Sequence, residues 1–427
     1  MTVLPPLTPH LGCGCDTADP AVPLLDLDAA LGRIARHAAP VAGSESLPLP
    51  QAVGRVLAAP VRAAAASPPF DSAAMDGYAV ATAGLAGEGP WILPVGPRVP
   101  AGMAAPGGVA PDRAARIFTG APVPAGADAV IAQEDVTPCG AAVTVARRPR
   151  PGSHIRRAGE DMARGQPVVA AGTRLGPRHI AACAAAGAGR VEVRRRLRVA
   201  VVVTGDEVRQ AGAGRGAAQI WDVNTPMLCA ALAGPRIDLV HVGQAADSVA
   251  AVRQAVGAWI GRADLVVTTG GVSVGEEDHV RPALRALGAE IAVHGVAIKP
   301  GKPLSYGTLG DAHWLGLPGN PLAAVVTWQV FGTALVDRLT GARASPEAAR
   351  LAVAADVVHR NARRVELRPA TRIGRDALGR AVVTFAPATH SGRVGGLPMS
   401  DGLIRLPPGR DPLPAGSLVA FLPFSEP

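Results

Sequence analysis

The chain has 427 residues, a formal net charge of +8, 48% apolar residues, 51 Gly, 41 Pro and few aromatics (6 Phe, 5 Trp, 2 Tyr). Gly and Pro together make about a fifth of the residues, below the level that marks low-complexity disorder, and the length suits two to four domains with cores of their own. No apolar run approaches the ~18–20 residues that span a bilayer, and the start, MTVLPPLTPH, has neither a charged n-region nor a continuous apolar region, so no membrane partner and a cytoplasmic location are expected.

The positive surplus is spread through RRPR (147–150), RR (156–157) and RRR (194–196). With so few aromatics to stack on single strands and no zinc-finger or RNP-like motif, nucleic acid is not expected as a partner, and an anionic small molecule explains the charge as well. Five cysteines in a long chain make no disulfide framework. Residues 1–22 read as a flexible extension; Cys13 and Cys15 beside His10 lack the second pair that a zinc-finger site would need.

In chain order, DLDAALGRIARHA (26–38) carries Leu27, Leu31 and Ile34 on one helical face with Asp26 placed to cap it. From 46 to 149, short apolar stretches (YAV, WILPV, ARIF, AVIA) separated by Gly and Pro read as a small β domain, domain II. A helical stretch, RHIAACAAAG (178–187), follows. It is expected to pack with the first helix, so that 23–45 and 150–195 form a helical and linker domain I interrupted by the β domain.

Residues 196–341, domain III, alternate apolar runs (197–203, 237–243, 263–269, 290–298) with helical patterns (225–234, 247–261, 278–288, 321–339), which implies a parallel sheet covered on both faces. Ligands in such folds sit beyond the carboxyl ends of the strands. From 345 to 427, domain IV, short runs punctuated by Pro and Gly (349–358, 381–385, 402–406, 417–422) read as a small β-barrel or sandwich. The fold class is therefore multidomain α/β.

In domain III every polar, Gly-rich cluster falls at a strand's end: TGDE (204–207), GGVSVGEED (270–278), KPGKP (299–303) and GLPGNP (316–321). Glycine lets backbone N–H groups approach a phosphate, and a helix N-terminus adds a favourable dipole. Asp206, Glu207, Asp247, Glu276, Glu277 and Asp278 are acids beside these loops, which suits phosphate only with a divalent cation between. Taken singly, Asp247 and Asp278 read equally well as helix caps. Lys299 and Lys302 are the only lysines among 42 basic residues; in so Arg-rich a chain they mark positions that want a compact ammonium facing an oxyanion. Asn is nearly as rare, with three residues, and Asn224 and Asn320 lie in loops at this edge. The combination points to phosphoryl or nucleotidyl chemistry assisted by Mg2+.

Eight segments in one order, DSAAMDGYAV (71–80), RIFTGAPVPAGADAV (116–130), RRAGEDM (156–162), TGDE, DVNTPML (222–228), TTGGVSVGEEDH (268–279), AIKPGKP (297–303) and GLPGNP, resemble the molybdopterin molybdenumtransferases, that is, the MoeA proteins and the gephyrin E domain. The resemblance covers residue 23 to the end. It implies a MogA-like sheet domain, an inserted β domain, a helical segment and a C-terminal β-barrel. The activity it implies is insertion of molybdate into adenylylated molybdopterin with release of AMP, dependent on Mg2+.

It further implies a homodimer whose active site lies between the sheet domain of one subunit and the inserted domain of the other, with transient contacts to a MogA-like adenylyltransferase and to molybdoenzyme chaperones. By motif position, Asp76 and Thr119 are the partner subunit's contributions and Asp161 a cross-domain residue near the cleft. Glu207 and Asp278 are the magnesium-linked carboxylates, and Asp247 is a further acid. Lys299 and Lys302 hold anionic oxygens. Thr204, Gly205, Asp206, Asn224, Gly270, Gly271, Ser273, Gly275, Pro318, Gly319 and Asn320 shape the nucleotide and pterin phosphate pocket, and Arg368 and Ser391 contact an anion.

Three positions depart from the family pattern. Ala73 lacks a hydroxyl, Gly295 stands where some members carry lysine, and Leu322–Ala323 replace Val-Ser after GLPGNP. A molybdopterin adenylyltransferase shares the sheet domain but needs neither AMDGYAV nor the barrel. A non-enzymatic, gephyrin-like scaffold would not need the carboxylate and lysine set.

Overall fold

The computed structural model describes residues 23–104, 107–271, 278–343, 350–387 and 390–424; the extension with Cys13 and Cys15, and Ser273, Gly275, Glu276 and Glu277, lie outside them. The chain divides into two units: residues 46–53 with 57–193, and residues up to 45, 54–56 and from 194 onward. Helix α1 (Leu27–His37) starts where the Asp26 carboxylate accepts the Ala29 N–H at 2.7 Å, a side-chain cap on an otherwise unpaired helix amide. The face it buries, Leu27, Ala30 and Ile34, joins the sheet core of the second unit with Leu197, Val293 and Leu339. That corrects the expected pairing of α1 with the 178–187 helix: the spacing specified an apolar face, and the sheet is the surface that covers it.

In the unit 46–193, six strands form one sheet: β1 (Gly77–Val80), β2 (Trp91–Val99), β3 (Ala114–Ile117), β4 (Ala129–Ala132), β5 (Val136–Cys139) and β6 (Ala142–Val145), in the order β4-β1-β3-β2-β6-β5. Gly77 begins β1 because a Cβ there would lie 1.9 Å from the Ile131 carbonyl oxygen. Helix α2 (Pro177–Ala185) packs in a separate small core of this unit through Cys183.

The second unit is built on β7 (Leu197–Thr204), α3 (Asn224–Leu232), β8 (Ile237–Ala245), α4 (Val249–Gly257), β9 (Leu265–Thr269), α5 (Val280–Ala286), β10 (Glu290–Val293), a short β11 (Ile298–Lys299), β12 (Ser305–Leu309), β13 (Ala312–Leu317), α6 (Pro321–Thr327) and α7 (Thr333–Leu339). The strand order is β8-β7-β9-β13-β12-β10. β8, β7, β9 and β13 are parallel neighbours, while β12 runs antiparallel to both β13 and β10. The sheet is therefore mixed. The expected all-parallel sheet missed β12 because SYGTL lacks an apolar run, although four of its five residues are buried. β10 still points the same way as β13, so the chain leaving it toward KPGKP emerges at the edge where β7, β9 and β13 end.

Helices α6 and α7 continue through a π-turn at Trp328–Gly332, where a Cβ on Gly332 would sit 2.4 Å from the Trp328 ring. Among the described residues Pro321–Leu339 is the one helical stretch of membrane-spanning length and composition, and 67% of it is buried in protein, as a core helix is.

Beyond it, β14 (Arg350–Ala354), β15 (Val365–Arg375), β16 (Ala381–Phe385), β17 (Gly402–Leu406) and β18 (Leu418–Pro423) close a ring, β15-β16-β14-β18-β17-β15, a five-stranded barrel. β15 is the longest strand, and its charged, Pro-containing sequence hid it from pattern reading. The barrel is joined to the sheet domain by β11, which pairs with β15 at Lys299 opposite Glu366, and by an ion pair of Arg405 with Asp28 on α1 at 2.5 Å.

At the other end of the sheet, Asp264 pins the starts of three strands. Its carboxylate accepts from Arg195 at 2.7 and 2.9 Å and from the Arg198 guanidinium and backbone at 2.8 Å, and its carbonyl takes the His313 N–H. Burial pushes this carboxyl upward, but the hydrogen bonds from Arg195 and Arg198 win and hold it at about 2. A depressed carboxyl stabilises the fold fully above its unfolded value near 4 and loses that contribution as pH falls through its folded value. Acid titration followed by circular dichroism should therefore show stability falling between about pH 4 and pH 2, by an amount on the order of 2 kcal/mol from this group, and Asp264→Asn should flatten that slope while lowering stability at neutral pH.

Candidate active site

Three strand-end loops and the start of α3 meet at the carboxyl edge of the sheet, held by one polar seam. The Asn224 amide, 7% exposed at the start of α3, donates to Thr269 Oγ1 and to the Gly319 carbonyl, both at 2.8 Å. Thr269 Oγ1 in turn donates to the Pro318 carbonyl at 3.1 Å, and Thr204 Oγ1 reaches the Thr269 carbonyl at 3.5 Å. The ends of β7, β9 and β13 and the start of α3 are thus tied together through Thr204, Asn224, Thr269, Pro318 and Gly319. Thr269 was missed by sequence reading, although it stands directly before the glycine pair. The Asn224 Oδ1 is buried with no hydrogen-bond partner among the described residues.

Glycine is required on this floor. Gly270 has φ +91° and a Cβ there would lie 2.6 Å from Thr204 Oγ1, while Gly271 has φ +58° and faces Val280. Both conformations are strained for other residues. Gly205, at φ +132°, lies so close to the Glu207 carboxylate that a Cβ would sit 2.8 Å from it. Asp206 and Asp247 bind each other reciprocally, the Asp206 N–H to Asp247 Oδ2 at 3.0 Å and the Asp247 N–H to Asp206 Oδ1 at 3.3 Å. The expected helix cap at Asp247 is instead made by Ser248.

Asp278 is half-buried before α5, and burial raises its carboxyl above the ordinary range against the opposing pull of Arg281. Arg281, unmarked in the sequence except as the third residue after Asp278, lies 3.6 Å from that carboxylate and also bonds Ser305 Oγ at 3.3 Å and the Pro303 carbonyl at 3.5 Å. It ties Asp278 to the end of the lysine loop. In that loop Lys299 is fixed by strand pairing with β15, and the Lys302 carbonyl takes the Val296 N–H at 3.0 Å. Gly301, φ +114°, lets the loop close on α6, since a Cβ would sit 2.5 Å from Thr327. Glu207 is exposed. Among the described residues no three acids, histidines or cysteines cluster as a ready metal cage.

Asn320 precedes α6 without a side-chain cap. The first free amides of that helix, Leu322 and Ala323, donate to the Ser391 carbonyl at 2.9 and 3.3 Å. The expected use of this helix start for phosphate is therefore narrowed to Gly319 and Asn320. Arg368 is buried in the barrel, paired with Glu366 at 2.8 Å and bonded to the His359 carbonyl, and its Nε has no hydrogen-bond partner among the described residues. It lines a cavity of about 370 Å³ together with Leu322, His390, Arg393 and Ser400.

Asp76, Thr119 and Asp161 belong to the unit 46–193. Thr119 donates both its N–H (2.8 Å) and its hydroxyl (2.7 Å) to Asp76 Oδ1, and these bonds hold the Asp76 carboxyl below its ordinary range. Beside them Arg116, also missed by sequence reading, stacks over Tyr78 and Phe118 at 4.9 Å. Asp161 is exposed, and its partner is Ser67, with an Oγ to Oδ2 distance of 3.5 Å.

Comparison with known proteins places this geometry. Residues 25–187 match the MoeA N-terminal region (domain I and II), 200–338 the probable molybdopterin binding domain, and 351–424 the MoeA C-terminal region (domain IV). The molybdopterin molybdenumtransferase of Haemophilus influenzae is 36% identical over 74% of this chain and 78% of its own length. Molybdopterin molybdenumtransferase 2 of Mycobacterium tuberculosis is 37% identical over 67% of this chain and 73% of its own. The chain belongs to the molybdopterin molybdenumtransferase family. It is a transferase of molybdenum cofactor biosynthesis. The molybdopterin biosynthesis MoeA protein of Pyrococcus horikoshii matches in structure with a TM-score of 0.81 at 26% identity, covering 94% of this chain and all of that one.

Two departures from the family pattern have physical reasons. Ala73 is fully buried against Val99, Ile117 and Val130, where a hydroxyl would need a partner. Gly295 adopts φ +144° with Leu24 2.9 Å from where its Cβ would be, so a lysine there would require the chain to move.

Asn224→Ala removes two bonds and leaves the buried Thr269 hydroxyl without its donor, at about 1–3 kcal/mol. Calorimetry should show a thermal midpoint lower by a few degrees, and Gly270→Ala should abolish turnover while leaving circular dichroism near wild type.

Proposed function

We propose that the chain inserts molybdate into adenylylated molybdopterin with release of AMP, in a Mg2+-dependent reaction. The observation that carries this reading is the seam of Asn224, Thr269 and Thr204, which draws the glycine-bearing ends of three strands together at one edge of the sheet. Pre-aimed N–H groups stabilise phosphate charge without reorganising during the reaction. Lys299 and Lys302 add point charges for the oxygens of phosphate or molybdate. Arg368 and Ser391 are proposed to extend the anion site toward the barrel. The barrel's strand pairing at Lys299 supports counting the barrel in the site, which favours the molybdenum-inserting reaction over the adenylyltransferase.

The donor chemistry fits Mg2+. That ion keeps several waters and needs one or two carboxylates beside substrate phosphates rather than a protein cage, and a half-buried Asp278 whose carboxyl is raised by burial gains from a nearby cation. Asp278 and Glu207 are proposed to hold it, with Asp247 nearby in the chain's acidic loops. When bound, Mg2+ neutralises charge developing on the phosphate oxygens. Arg281 keeps Asp278 and the lysine loop in register. We further propose a homodimer in which Asp76, oriented by Thr119, and Asp161 complete the sheet-edge site of the other subunit.

Purified protein given adenylylated molybdopterin, molybdate and Mg2+ should release AMP only when molybdate is present. Asp278→Ala and Lys299→Ala should each slow release about a hundredfold, and AMP release independent of molybdate would reject the reading.

A further inference from the structure

Trp221 is the only exposed residue of the chain's five tryptophans, at 52%. Trp314 and Trp328 are buried in the core, and Trp91 and Trp259 are partly covered. Its backbone runs beside the loops of the candidate site. It lies three residues before Asn224, which an extended chain spans in at most about 11 Å, and Asp222 between them caps α3 by accepting the Thr225 N–H at 2.9 Å. On the other side, Ile220–Trp221 runs as a short parallel pair beside Val208–Arg209. The Ile220 N–H donates to the Glu207 carbonyl at 2.9 Å and the Asp222 N–H to the Arg209 carbonyl at 2.7 Å. The backbone that carries the indole is thus anchored beside the TGDE loop and leads directly into α3 and Asn224.

The ring is also held in place before any ligand arrives. Its Nε1 donates to the Ala213 carbonyl at 3.2 Å. The Arg215 guanidinium lies 5.1 Å from the ring centroid, itself fixed by a bond to the Gln219 carbonyl at 2.9 Å. An exposed indole gains nothing from the fold's core, yet the Ala213 carbonyl and the Arg215 guanidinium both order it. A cation over one π-face is attracted by the ring quadrupole and helps to fix the ring's orientation.

We propose that Trp221 is the stacking platform for the adenine of the adenylylated substrate. This rests on the adenylate reading of the site. Stacking on an indole is tolerant of base identity and is worth about tenfold or more in affinity when the ring is truncated, so Trp221 sets affinity for the base while the glycine loops and lysines take the phosphate.

Titration calorimetry with AMP and with ribose 5-phosphate, each with Mg2+, separates the two roles. Trp221→Ala should weaken AMP about tenfold and leave ribose 5-phosphate unchanged. Trp221→Phe should restore most of the AMP affinity, and AMP should quench tryptophan emission in the wild type but not in Trp221→Phe. Wild-type protein that fails to bind AMP overturns the adenylate reading and this inference with it. AMP binding equal in wild type and Trp221→Ala overturns the stacking role alone, as does an equal loss of AMP and ribose 5-phosphate, which would make Trp221 a prop for its loop.

Discussion

The amide of Asn224 is the constraint on which the ligand edge depends. A single side chain donates to the strand-end threonine of β9 and to the loop after β13, and the threonine passes the connection on to Pro318. Strand-end loops are otherwise free to differ in height by several ångströms. Here three of them share one hydrogen-bonded network, in which Thr204, Asn224, Thr269 and Pro318 are buried and costly to leave unpaired. The glycines follow from the same constraint: with Thr204 and Thr269 drawn together, Gly270 has no room for a Cβ.

The barrel acts on that edge from the other side. It supplies the strand that fixes Lys299 and the Ser391 carbonyl that caps α6, and it packs its own ion pair, Glu366 with Arg368, into the barrel interior beside them. A buried pair of this kind is costly to leave half-made, so the strand that carries it holds its register, and the register of β15 is what places the lysine loop. The rarest cations of an arginine-rich chain thus lie where two domains of one unit interlock.

Much of this was legible in the sequence because apolar β-branched runs ending in Gly-rich polar clusters identify both a parallel strand and its ligand end. TGDE, the glycine pair, KPGKP and GLPGNP could be placed at one edge before any coordinates. The partner of α1 was not legible, since an amphipathic face states that it is buried but not against what. SYGTL carried no apolar pattern because its burial comes from neighbours on both sides, and VELRPATRIGR hid a strand behind charges that pair only within the folded barrel. The capping of α6 by Ser391 joins residues about seventy positions apart, and no local signal encodes it. Trp221 stood in view, yet only its exposure set it apart from a core aromatic.

The most direct measurement is amide hydrogen exchange of the full chain with and without AMP and Mg2+. Strong protection on binding is expected at Gly205, Gly271 and Gly319, with little change at the Asp264 end of the same sheet. Protection absent from those glycines, or spread evenly over both ends of the sheet, would contradict a phosphate site built on the Asn224 seam.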